Sequence, residues 1–348
     1  MYLWSEPCIS VTSQRVPEEL GRGHVGTESQ RCMLCRGAMR PWLRVPDDAK
    51  QSRAAAYDVY WCDTCAYGAV QPIPSVEQVA EFYRLDRYYT QGESHYEAEG
   101  EKGLLDQLRT HVAWRLDRGT PLAGRAIHEA LGRKPSRIID IGCGNGQIAA
   151  ELATLGHSIV GVEVDPNAIS RRLRERGLEV LAGSAEILPP ELAPRSFDCV
   201  VMNHVLEHCR DPLLALQNAR SLLKPGGRLL CEVPNNAAAA LEHVGSAWEM
   251  LDVPRHLHFF TQRSLQRACE AAGLRVKGVK FGYYRRQFTN AWINTERRLW
   301  SNLMGARTAA SPAPAQNSKL RAWRLLLKTF AAPAERKYDS VNVTAVQA

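Results

Sequence analysis

The chain has 348 residues, 45% of them apolar and 23% charged, with a formal net charge of +7, which fits two or three globular domains of roughly 100–200 residues each. No window approaches the roughly 18 uninterrupted apolar residues of a spanning helix, and Glu6, Pro7, Glu18 and Glu19 stand where a signal peptide needs an apolar run. Membrane spanning and secretion are therefore disfavoured, a cytoplasmic location is expected, and the ten cysteines read as thiols or metal ligands rather than disulfides.

Residues 1–30 carry Gly21, Gly23 and Gly26 with no sustained period and read as a lead-in. Residues 31–74 form a module bracketed by Cys32-Met33-Leu34-Cys35 and Cys62-Asp63-Thr64-Cys65, with 26 residues between the pairs, and closed by Pro72-Ile73-Pro74. Two C-x2-C knuckles suit tetrahedral Zn²⁺, and four thiolates leave no open position, so Cys32, Cys35, Cys62 and Cys65 are expected to hold a structural zinc. A thioredoxin-like redox pair is the rival, and it lacks the βαβ context such a pair needs. The other six cysteines are scattered singly and read as buried thiols. Residues 75–132 read as a helical linker or cap. One helix starts at Ser75, a second runs from Lys102 to Asp117 with Leu104, Leu105, Leu108, Val112 and Leu116 as its apolar stripe, and a third covers Ala123 to Leu131.

From Arg137 short β-branched runs alternate with helical segments. Strands are expected at Arg137 to Ile141, Ser158 to Glu163, Leu178 to Leu181, Phe197 to Met202, Arg228 to Val233 and Arg275 to Phe281, with helices at Ile148 to Leu155, Pro166 to Arg176, Pro212 to Leu223 and Gln262 to Ala272. This alternation predicts an α/β core over 133–286, a doubly wound, mostly parallel sheet with helices on both faces. Residues 287–337 hold nine basic and two acidic residues, so this stretch accounts for the whole net charge. Two amphipathic helices are expected in it, one with Trp292, Leu299, Trp300 and Leu303, the other with Leu320, Trp323, Leu327 and Phe330. Residues 338–348 supply a last strand, Ser340 to Val346.

The stretch Ile138-Ile139-Asp140-Ile141-Gly142-Cys143-Gly144-Asn145-Gly146 is an apolar strand ending in a glycine loop that opens a helix, where a backbone can approach a ligand closely. Glu163 ends the next strand, where a carboxylate can accept ribose hydroxyls. The spacing is G-x-G-x-G preceded by an acid, not the dinucleotide G-x-G-x-x-G, and this favours a nucleoside without a pyrophosphate. With V-G-V-E-V-D, G-S-A-E-I-L-P, F-D-C-V-V-M-N-H-V-L-E-H and L-L-K-P-G-G-R-L-L following in order, residues 136–285 resemble the class I S-adenosylmethionine-dependent methyltransferases. The resemblance implies a seven-stranded Rossmann-like sheet closed by a final antiparallel strand, and S-adenosylmethionine as cofactor. It places Gly142, Gly144 and Gly146 around the methionine side, Asp140 near the donor's amino group, Glu163 on the ribose, Ser184, Ala185 and Glu186 around the adenine, and Asn203 and His204 along the donor pocket.

An acceptor that is a hydroxyl or an acidic carbon needs a base, and His serves near neutral pH. His204 and His208, at i and i+4, would share a helix face and permit a metal reading; the resemblance accounts for them without one. Asp252-Val253-Pro254-Arg255-His256-Leu257-His258-Phe259-Phe260-Thr261 resembles the loop after strand five in methyltransferases of sugars and small metabolites. Alternation would point His256 and His258 to one side, and Thr261 reads as the N-cap of the next helix. His256 is the expected base, with His258 and Arg255 as substrate binders.

The ribbon with Phe82-Tyr83 and Tyr88-Tyr89 resembles zinc-ribbon methyltransferases of sugar and secondary-metabolite pathways, so the acceptor is expected to be a small metabolite or a sugar, including a nucleotide-linked one. The alternatives are an RNA methyltransferase that grips phosphates with ribbon and insertion, and a ribbon adaptor without catalysis. The lack of an N-P-P-Y-like stretch argues against nucleic acid. The basic insertion 287–337 suits a membrane surface, an acidic ligand or a second copy of the chain.

Overall fold

The computed structural model describes residues 30–46, 56–83, 103–164, 177–305 and 318–348. The lead-in before Gln30, which includes Cys8, the helix read over Pro166 to Arg176, and Tyr88-Tyr89 lie outside these residues. After the first Cys pair, β1 (Arg40–Pro46), β2 (Ala56–Cys62) and β3 (Tyr67–Gln71) form an antiparallel meander. Three helices follow: α1 (Val76–Tyr83), α2 (Leu104–Leu116) and α3 (Gly124–Ala130). Then come β4 (Arg137–Ile141), α4 (Gln147–Thr154), β5 (Ser158–Glu163), β6 (Glu179–Ala182), β7 (Phe197–Asn203), α5 (Pro212–Leu222), β8 (Leu223–Pro234) and α6 (Ala239–Val244). The chain closes with β9 (His258–Phe259), α7 (Gln262–Ala271), β10 (Leu274–Gly282), α8 (Asn290–Gly305), α9 (Ser318–Thr329), α10 (Ala334–Lys337) and β11 (Ser340–Gln347).

Seven strands make one sheet in the order β10-β11-β8-β7-β4-β5-β6. All neighbours are parallel except β11, which runs antiparallel to both β8 and β10. Strands buried on both faces read as continuous apolar runs, and the period of two sorts them. Ile139, Ile141, Val200, Met202 and Leu229 face a core with Leu216 and Leu265 of α5 and α7. Ile138, Ile159, Cys199, Val201 and Leu230 face the opposite core with Ile127 and Leu152 of α3 and α4. The expected doubly wound sheet with a final antiparallel strand is therefore the observed one, and α8 and α9 fall in the connection from β10 to β11 as expected.

Helix α2 departs from expectation. Leu104 and Leu105 are 85% and 69% exposed, and the buried face carries Asp106, Arg109, Thr110 and Ala113. The reason is a polar dock: the fully buried Arg109 donates to Phe288 O at 2.9 Å, to Asp106 Oδ1 at 2.8 Å and to Asn290 Oδ1 at 2.8 Å. Hydrogen bonding to a buried charge outweighs the apolar stripe in setting the helix rotation. Helix α9 likewise buries Ala322, Leu325, Leu326 and Thr329, while Leu320, Leu327 and Phe330, read as its inner stripe, are 47%, 74% and 60% exposed. Among the described residues no helix is long and apolar enough to cross a membrane.

Candidate active site

The carboxyl ends of β4 and β5 meet at the glycine loop. Gly142, Gly144 and Gly146 all take positive φ, at 69°, 52° and 73°, and Gly146 caps α4 in the left-handed conformation. A Cβ on Gly142 would stand 2.5 Å from Val205 Cγ2. The loop is tied to β5 from both sides: Gly142 N donates to Val162 O at 2.7 Å, and Gly144 N donates to Glu163 Oε2 at 2.8 Å. Val164 N donates to Glu163 Oε1 at 2.9 Å, so each carboxylate oxygen keeps a lone pair for a ligand hydroxyl. Asp140 is buried at the base of the loop, and burial followed by the charge of Glu163 pushes its carboxyl up to about 7.

Beside it, Ser184 Oγ accepts from the backbone N–H groups of Glu186 and Ile187 at 3.3 and 3.0 Å. Asn218 Nδ2 holds the carbonyls of Ala185 and Glu186 at 2.9 and 3.1 Å. Glu186 accepts from Arg210 N and Asp211 N at 3.1 and 2.8 Å, bracing the loop after β7 with the carboxylate read as an adenine contact. Asn203 ends β7 opposite Glu232 of β8.

His204 follows at φ 54°, and a single 3-10 turn, Leu206–His208, replaces the helix read there. With 3-10 rather than α geometry His204 and His208 part company. His204 Nδ1 donates to Glu207 Oε1 at 3.1 Å and Nε2 lies 3.5 Å from Glu232 Oε1. Burial opposes its charge, yet the two carboxylates outweigh it and raise the imidazole to about 9. His208 Nδ1 donates to Arg255 O at 3.1 Å, and its ring meets His256 at 4.6 Å, edge to face. His256 Nδ1 donates to Met250 O at 2.9 Å and its Nε2 stands 3.9 Å from Glu207 Oε1. Burial, then the neighbouring His208, pushes His256 down to about 4.

His256 and His258 do not share a side. Residues 252–257 turn, with Asp252 at φ 37°, and the strand begins only at His258, so the period of two does not reach back to His256. His258 Nδ1 instead hydrogen-bonds the hydroxyl of Tyr67 in the ribbon. Arg255 is buried in an ion pair with Asp252 at 2.5 Å. Thr261 is the N-cap as expected, in a capping box with Ser264.

The four ribbon thiols converge: the Sγ atoms of Cys32, Cys35, Cys62 and Cys65 lie within 4.8 Å of one another, and Arg267 donates to Cys65 Sγ at 3.1 Å. A set of four thiolates with a cationic donor on one sulfur fits Zn²⁺. The ribbon takes its fourth strand from the core, because β3 pairs with β9 through Gly68↔Phe259 and Ala69↔His258. Val70 N donates to Leu257 O at 2.9 Å, Thr261 Oγ1 donates to Ala66 O at 2.9 Å, and Phe259 packs on Trp42 at 6.0 Å.

Two residues of the site carry no motif. Glu232, fully buried in β8, accepts from Leu122 N and Asn342 Nδ2 at 2.8 and 3.0 Å; a lone acid inside the apolar run Leu229 to Val233 was its signal. Tyr283, at φ 64°, stands 6.5 Å from His204, ring to ring, under the guanidinium of Arg286. It borders a cavity of about 450 Å³ shared with Trp114, Arg285 and Thr289.

Residues 114–278 match a family described as a methyltransferase domain. The chain is 33% identical to a ubiquinone biosynthesis O-methyltransferase of Dinoroseobacter shibae, over 53% of this chain and 77% of that protein. It is 30% identical to the protein of the same name from Xanthomonas euvesicatoria, over 61% and 87%. Among solved structures, a Burkholderia thailandensis 1,6-didemethyltoxoflavin-N1-methyltransferase with bound S-adenosylhomocysteine aligns at 15% identity, covering 88% of this chain and 99% of that one, with a TM-score of 0.45.

Proposed function

The chain belongs to the S-adenosylmethionine-dependent methyltransferases, and from that premise we propose that it methylates an oxygen or carbon of a small metabolite or sugar, with a hydroxyl as the favoured acceptor. Relatives at 30% identity or more that are named O-methyltransferases support the hydroxyl. The observation that carries the donor assignment is the loop in which three positive-φ glycines lie between Asp140 and Glu163. Asp140 takes the donor's ammonium and Glu163 the ribose hydroxyls. Ser184 and Ala185 frame the adenine with Glu186 as brace, and Asn203 and His204 line the methyl side. The acceptor oxygen closes on the methyl as the C–S bond breaks, and catalysis is mostly alignment and exclusion of water. The acceptor's proton is drawn off at the cluster of Glu207, His208 and His256, with His256 the group whose truncation costs turnover. His258 belongs to the ribbon contact and steadies that loop.

The ribbon cysteines hold a structural zinc in this reading, and a small-molecule acceptor is favoured over RNA. Five basic side chains of the ribbon and insertion are paired with acids: Arg40 with Asp63, Arg44 with Asp58, Lys319 with Asp106, and Lys328 and Arg336 with Glu242. The intact glycine loop argues against a non-catalytic adaptor.

Asp140 supplies the test. Its carboxyl is raised to about 7 by burial and by Glu163, so in the empty protein it is largely protonated below that pH and must ionise to pair with an ammonium. S-adenosylmethionine affinity is expected to fall about tenfold per pH unit below 7, and binding near pH 6.5 to release a proton. Calorimetry in two buffers of different ionisation enthalpy measures both. Absence of any donor binding sinks the methyltransferase reading, and pH-independent binding removes Asp140 from it.

A further inference from the structure

We propose that Glu207, His208 and His256 form a divalent-cation site on the acceptor side. The inference rests on the methyltransferase reading only for what the ion does, since the site itself stands on the geometry of the three side chains.

One ligand atom from each residue falls within a set whose members all lie within 4.8 Å of one another, and one pair, His256 Nε2 and Glu207 Oε1, is 3.9 Å apart. Ligands at about 2.0–2.2 Å around a tetrahedral ion stand roughly 3.4 Å apart, so closing the site takes about 1 Å of side-chain movement. A carbonyl oxygen can only accept, so the bonds to Arg255 O and Met250 O put the Nδ1 protons on His208 and His256. In the neutral imidazoles this leaves the lone pair on Nε2 of each ring. A ligating His that donates its other ring N–H to a carbonyl has the outer-shell arrangement of a metal ligand.

The carboxylate gives a second, independent indication. Glu207 is fully buried, and among the described residues its Oε2 has no hydrogen-bond partner, an arrangement unfavourable for a charged group. Glu207 and Glu232 also flank a single imidazole, His204. A cation beside Oε2 would give that oxygen the partner it lacks among the described residues. The nearby Asp252 and Arg255 form an ion pair with each other.

Two imidazoles with one carboxylate select a borderline ion, Zn²⁺, Fe²⁺, Co²⁺ or Mn²⁺, over Mg²⁺ or Ca²⁺, which take oxygen sets. Three protein ligands leave a position open. A hydroxyl entering it forms an O–metal bond and loses its O–H proton to water, as metal-bound water does. The resulting oxygen anion then attacks the sulfonium methyl. The cluster thereby draws off the proton by lowering the hydroxyl's pKa.

The test uses the full chain with its ribbon loaded with zinc, titrated with Co²⁺ and followed by calorimetry and visible absorption. One Co²⁺ per chain beyond the ribbon metal is expected, without a sulfur-to-cobalt charge-transfer band. His256→Ala and, separately, Glu207→Gln are expected to weaken it more than about 100-fold, beyond the roughly 10–100-fold cost of losing an outer-shell partner, while the ribbon keeps its zinc. Should either variant fail to fold by circular dichroism, His208→Gln replaces it. The proposal is overturned if the parent protein takes up no second ion, if the only cobalt bound shows the thiolate band, or if the folded variants bind Co²⁺ like the parent. Donor binding by the parent is read in the same samples, so a failure of the methyltransferase reading shows as lost S-adenosylmethionine binding whatever the cobalt does.

Discussion

Alanine in place of Gly142 is expected to weaken S-adenosylmethionine binding at least about 30-fold. Two costs combine at this position. The backbone sits at φ 69°, where an L side chain costs about 1–2 kcal/mol, and the new Cβ would lie 2.5 Å from Val205 Cγ2, an overpacking worth about 1–3 kcal/mol. The protein relieves both by shifting the loop or pushing Val205 outward. A shifted loop loses the Gly144 N to Glu163 Oε2 bond, and a displaced Val205 moves the turn that carries Glu207 and His208. Gly156→Ala is the control. It also has positive φ, at 86°, but nothing lies within 4 Å of its Cβ, and it sits in the turn from α4 to β5, away from the loop. It should lower Tm and leave donor affinity within about twofold. Calorimetric titration of both variants decides, and a Gly142→Ala protein that binds the donor within about threefold of the parent would falsify the placement of the donor on this loop.

Stripping the ribbon of its metal by Cys62→Ser with Cys65→Ser is expected to lower methyl transfer at least about tenfold below the parent while donor affinity stays within about threefold. Zinc contributes roughly 10–16 kcal/mol to folding in zinc-finger peptides, and a module of three short strands has little core to replace it. The effect reaches the acceptor side because β9 is a ribbon strand and a core segment at once. When β3 frays, the ladder to His258 and Phe259, the Val70 to Leu257 bond and the Tyr67 contact to His258 go with it. The donor loop lies on the other sheet and keeps its ties to β5. Amide exchange separates the two regions: protection should be lost over 56–71 and 257–260 together and retained over 138–163. Exchange confined to the ribbon, or full turnover by metal-free protein, would count against this coupling.

The sheet was legible because its strands are apolar runs of the right length, and β4 and β5 fall on the residues expected. The donor loop was legible because glycine spacing reports backbone geometry directly. Of the readings that failed, three have a local reason. On α2 the periodicity of Leu104, Leu105 and Leu108 predicts a buried stripe, but a single buried Arg109 with three hydrogen bonds rotates the helix the other way. In N-H-V-L-E-H the i and i+4 histidines assume an α-helix, and the 3-10 turn puts His208 beside His256 and bonds it to Arg255, 47 residues further along the chain, a proximity no local pattern encodes. In the loop after β8, alternation was extended across a turn, so His258 was read as facing the acceptor when it faces Tyr67. Glu232 shows the converse: a charge in an apolar strand is visible in the sequence, but its partners Leu122 and Asn342 come from both ends of the core.

The placement of β11 bears on how the molecule is made. Of the seven strands in the large sheet it is the last to be synthesised, yet it lies between β8 and β10 and hydrogen-bonds both. Until it arrives, those two strands have no ladder to each other and present open edges, the surface on which strands of other chains add. Asn342 of β11 also fixes Glu232, so the acid beside His204 lacks one of its anchors over the same interval. The nascent domain can assemble its glycine loop early, but it acquires a closed sheet and a finished acceptor side in one late step.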